Sequence, residues 1–90
     1  MLVRSSSVLW RELDGEAILL DPQAGCSYNL NRAGTLVWKL LDGQHDTEDL
    51  VAAICAAYEV EPEQARRDVE RLLDDLLTNK LAGLSSPSHV

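Results

Sequence analysis

The chain has 90 residues, 46% of them apolar and 26% charged, and its 15 acids against 8 Lys and Arg give a formal net charge of −7. A domain of this size buries about 60–65% of the surface its unfolded chain would expose, which suffices for one core and argues against a deep catalytic cleft. The acidic balance excludes nucleic acid as an expected partner, because phosphate binding draws on Lys and Arg, and it favours a basic peptide.

Residues 1–7 contain three consecutive serines and no periodicity, and are read as a frayed arm or a lead-in with no assigned function. Val8 to Leu13 mixes β-branched, aromatic and long side chains, and Asp14-Gly15 then supplies the positive-φ chemistry of a two-residue hairpin turn. A second strand over residues 16–21 closes on Pro22-Gln23-Ala24-Gly25, with Pro early and Gly last, as a four-residue reversal requires. The third strand, Cys26 to Leu30, alternates Tyr28 and Leu30 with Ser27 and Asn29. A simple meander leaves this third strand with one open edge.

Asn31 is placed to cap a helix over residues 32–42, which Gly43 ends. Gly34 in its first turn costs about 1 kcal/mol against Ala, so a close backbone approach is inferred there. Asp46 caps a second helix over 47–58, with Glu48 and Asp49 at its positive end and Leu50, Val51, Ile54, Ala57 and Tyr58 as its stripe. Pro62 opens the longest helix, over 62–80, whose stripe is Ala65, Val69, Leu72, Leu73, Leu76 and Leu77. Asp68 and Asp75 flank that stripe on one side, Arg66 and Glu70 on the other. Residues 81–84 close the domain, taken as 1–84, and 85–90 are expected to be a disordered polar tail.

The expected fold is therefore α+β, a winged helix-turn-helix with an N-terminal three-stranded antiparallel sheet followed by three helices. Trp10 and Trp38 are expected in the core, since the chain has no Phe to fill it. Chemistry is sparse. His45 and His89 fall in a loop and the tail, Cys26 and Cys55 form no CxxC pair, and no glycine loop could cradle a phosphate. No enzyme activity, metal or cofactor is expected. The cysteines read as reduced thiols, and the chain lacks both a run of about 20 apolar residues and a signal-peptide core, so it is expected in the cytoplasm and off the membrane. An open strand edge beside an apolar helical stripe suits an extended peptide.

The spacing Tyr28-x-Leu30-Asn31-x-x-Gly34-x-x-x-Trp38-x-Leu40-x-x-Gly43, followed by "DTEDLVAAICAAYEV" and "RRDVERLLDDLLTNKLA", resembles the PqqD-like family, the RiPP recognition elements, over residues 8–84. The resemblance implies a winged-helix protein that is not an enzyme. Such a protein binds the leader of a ribosomally made precursor as a further strand beside strand three, against helix three, and delivers it to modifying enzymes. Carried onto this sequence it implicates Cys26, Ser27, Tyr28, Asn29 and Leu30, with Val69, Leu72, Leu73 and Leu76. Asp68 and Asp75 are added as acids beside the groove. A free-standing chain with "LLD" before its turn and "LN" before its helix most resembles the discrete recognition protein of lasso-peptide clusters, for which the resemblance implies a leader peptidase as partner and a cyclase as a further candidate. The alternatives are a recognition protein of another pathway, such as pyrroloquinoline quinone, and a winged-helix transcription regulator.

Overall fold

The computed structural model describes residues 2–84. The elements run β1 (Leu2–Arg4), β2 (Leu9–Leu13), β3 (Glu16–Asp21), β4 (Cys26–Leu30), α1 (Arg32–Lys39), α2 (Thr47–Ala57), α3 (Pro62–Thr78) and β5 (Ala82–Leu84). The expected meander forms as an antiparallel sheet of order β2-β3-β4. At the β2–β3 hairpin both Asp14 (φ 53°) and Gly15 (φ 83°) are left-handed, the geometry of a primed two-residue turn whose twist suits the flanking strands. The expected tail, 85–90, lies outside the described residues.

Strand alternation sorts the sheet into two faces. Ala17, Leu19 and Leu30 are buried against the helices, while Leu9, Leu13 and Leu20 are exposed on the other face. Thr35 of α1 fastens this sheet to the helical layer. Its buried hydroxyl accepts from Ala17 N–H (2.7 Å) and donates to the Leu30 carbonyl (3.3 Å), spanning the end of the β3–β4 ladder. Thr35→Val preserves the shape but leaves both buried main-chain groups without that bridge, and is expected to cost about 1–3 kcal/mol in urea unfolding. An unchanged midpoint would show that the hydroxyl contributes nothing.

Residues 2–4 are not an idle arm. β1 pairs antiparallel with β5, Leu2 opposite Leu84 and Arg4 opposite Ala82. The Arg4 guanidinium donates to the carbonyls of Trp38 and Lys39, and Arg4 N–H donates to Leu41 O. These contacts take up carbonyls at the end of α1, which stops at Lys39 rather than running to 42. The other two helices match expectation within two residues. Asp46 and Asp49 form a reciprocal capping box on α2, and Pro62 occupies the first turn of α3.

Trp38 is fully buried at the centre of the core, edge-on to Trp10 with ring centroids 6.1 Å apart. Trp10 corrects the expectation of two core tryptophans. It is 38% exposed and lies beneath the Arg4 guanidinium, 5.6 Å from the ring centroid, so it covers the core edge rather than filling it. Leu77 is likewise 38% exposed and leaves the buried stripe of α3, which consists of Ala65, Val69, Leu73 and Leu76.

Candidate functional site

Which backbone groups of β4 remain free follows from Thr35. Because that side chain bridges Ala17 N–H to Leu30 C=O, this pair turns its main-chain groups towards each other. The direction alternates along a strand, so Tyr28 and Cys26 also turn inward, opposite Leu19 and Asp21. Ser27 and Asn29 therefore present N–H and C=O to the open edge, as only β3 pairs with β4 among the described residues.

Beside that edge lies an open groove of about 580 Å³. Tyr28, Asn29 and Leu30 form its strand side, and Asp68, Val69, Leu72, Asp75 and Leu76 its α3 side. Of these α3 residues Val69 and Leu76 are buried, whereas Leu72 is half-buried and supplies the accessible apolar wall. Three expected site residues do not line this groove, although Ser27 still belongs to the open edge. Leu73 packs into the core without lining the groove, and Cys26 and Ser27 lie beyond its end, with the Cys26 thiol near Ala24 O.

Gly34 forms part of the floor. A Cβ there would meet Asn31 Oδ1 at 3.2 Å, Leu30 Cβ at 3.5 Å and Leu72 Cδ2 at 3.6 Å. Asn31 Oδ1 is the helix cap itself, accepting from Gly34 N–H at 2.8 Å. The expectation of a close backbone approach is thus corrected: the tight neighbour of this glycine is the side chain of its own cap, and the Leu72 methyl of α3 is in ordinary van der Waals contact. Tyr28 spans the same gap at the other end of α3, its hydroxyl donating to Asn79 Oδ1 at 3.2 Å. Desolvation first, then its neighbours Cys26 and Asp21, push the phenol above its ordinary value.

Several lining residues carry no local signal in the sequence. Ala33 belongs to α1, and Ile54, Tyr58 and Val60 come from α2 and the turn after it, brought in by the packing of α2 on α3. Arg71 lies between the two acids on the α3 side, so the wall is not uniformly acidic. Among the described residues no group of three or more His, Cys, Asp or Glu could hold a metal, and no helix is long and apolar enough to cross a membrane.

The family model described as Coenzyme PQQ synthesis protein D (PqqD) matches residues 16–82. The chain belongs to the PqqD family. Two solved structures resemble this PqqD-family chain over nearly their whole length. "TbiB1 in Complex with the TbiA(beta) Leader Peptide" is 30% identical with a TM-score of 0.82, covering 94% of this chain and 99% of that one. "Lasso peptide synthetase B1 complexed with the leader peptide" is 27% identical with a TM-score of 0.80, covering 91% and 96%. A third, "Heterocyclase in complex with substrate and Cofactor", is 20% identical with a TM-score of 0.65. It shares the fold, all of this chain aligning with 11% of that one. No curated protein matches the chain.

Proposed function

We propose that this chain is a non-catalytic recognition protein that binds the leader segment of a ribosomally made precursor peptide and presents it to a leader peptidase and modifying enzymes of a lasso-peptide pathway. The observation that carries this reading is the unpaired edge of β4, with Ser27 and Asn29 main-chain groups turned outward beside an apolar groove. An extended peptide gains its affinity from such an edge and its specificity from the adjacent side chains. That both similar structures hold a leader peptide, one of them on a lasso peptide synthetase B1, supports the same assignment. The test is titration with synthetic leaders from the precursor genes beside this one. Micromolar or tighter binding of a lasso leader supports it; binding only of a pyrroloquinoline-quinone-type precursor moves the chain to that pathway, and binding of neither overturns the proposal.

Leu72 gives the side-chain test. Being half-buried, it contributes less to the fold than the 2–5 kcal/mol of a fully buried leucine, yet it faces whatever occupies the groove. Leu72→Ala is expected to weaken leader binding about fivefold to thirtyfold, the equivalent of about 1–2 kcal/mol, while costing less than that in stability. Equal affinity of the folded variant and the parent would remove Leu72 from the contact surface.

A further inference from the structure

The α3 wall of the groove carries one cation, and its neighbours leave it unpaired. Asp68, Arg71 and Asp75 follow at intervals of three and four residues and line the same groove. Two helical ion pairs are therefore available to Arg71, yet neither forms. Asp68 Oδ1 instead accepts from Gln64 Nε2 at 2.9 Å. Asp75 lies four residues C-terminal to Arg71, the weaker order for such a pair because it opposes the helix dipole. The ion pairs among the described residues are Lys39 with Glu12, His45 with Asp42 and Arg66 with Glu48, so Arg71 belongs to none.

We propose that Arg71 selects a single acidic side chain in the peptide that occupies the groove. This rests on the reading of the groove as a peptide site. A guanidinium offers a planar fork that matches a carboxylate with two parallel hydrogen bonds, and an exposed lysine or a bare dipole does not. The acids on either side limit the preference to one position. Asp68 to Asp75 spans about 10.5 Å of helix axis, and same-side residues of an extended peptide repeat at about 6.7 Å. A peptide acid seated at Arg71 thus has its next same-side neighbours near Asp68 and Asp75, where a second acid is repelled and an apolar or basic residue is accepted. The pattern selected is one acid within an otherwise neutral or basic segment, which also suits a chain of net charge −7.

The experiment is selection from a display library of extended peptides of about 8–12 residues, long enough to pair along β4, on the parent, Arg71→Gln and Arg71→Glu proteins. The parent is expected to enrich Asp or Glu over Asn or Gln at one position by about twofold to fivefold. Arg71→Gln loses that preference, and Arg71→Glu reverses it to Lys or Arg at the same position. Arg71 is exposed, so these variants fold as the parent does. Each selected peptide is then bound to Asn29→Pro. Peptides lost from Asn29→Pro but indifferent to residue 71 overturn this inference alone. Peptides that bind Asn29→Pro as well as the parent lie outside the groove and overturn the peptide-site reading, and the inference with it, as does a library from which the parent selects nothing.

Discussion

Asn29→Pro is expected to weaken leader binding by about tenfold or more while leaving the domain folded. The loss has two parts, the missing N–H donor, worth about 0.5–1.5 kcal/mol net, and a ring carbon standing where an added strand must approach. The fold loses little, because Asn29 turns its main chain away from β3 and its side chain is exposed. Two companions isolate the cause. Asn29→Ala keeps the N–H and is expected to bind within about twofold of the parent. Tyr28→Pro removes a donor that faces β3, opposite buried Leu19, and is expected to destabilise the domain itself. Circular dichroism and a leader titration read all three. A folded Asn29→Pro that binds at the parent level would rule out strand addition along β4.

The largest effect on stability is expected at Trp38. A fully buried indole replaced by alanine costs about 3–5 kcal/mol, out of about 5–13 kcal/mol for a domain of this length, so Trp38→Ala is expected to be largely or wholly unfolded by modest urea. Trp38→Phe is a sharper measurement. The indole Nε1 is buried without a hydrogen-bond partner among the described residues, so phenylalanine gives up volume and also removes an unpaired donor. Its cost is expected to be only about 1–2 kcal/mol. If Phe costs as much as Ala, the N–H has a stabilising interaction after all, and the Trp10 ring, nearly perpendicular to Trp38 with its centroid 6.1 Å away, is where to look for it.

Local chemistry made most of the fold legible. Asp14-Gly15, Asn31, Asp46 and Pro62 each act within a few residues of themselves, and each ends or starts an element where the sequence places it. β1 and β5 were invisible for the opposite reason. Each is three residues long, and their pairing joins chain ends that share no local pattern. The early end of α1 follows from the same omission, because Arg4 arrives from that distant strand. On α3 the paired leucines 72, 73, 76 and 77 spread the stripe too wide. Only the packing of α2, β5 and α1 against this helix decides that Leu73 and Leu76 are core, that Leu72 is marginal and that Leu77 is outside. The open edge of β4 could be read from strand order alone, whereas the opposite groove wall, with Tyr58, Val60 and Arg71, is a product of tertiary packing.

The pairing of β1 with β5 has a consequence for portability. Leu2–Arg4 and Ala82–Leu84 run side by side, so the backbone enters and leaves the domain at one spot, and neither strand lines the groove. A host protein could take up such a unit within a surface loop by opening the loop at two adjacent points, with no spacer to bridge and no rearrangement of the peptide edge. The same architecture occupying 11% of a heterocyclase chain is what that geometry permits.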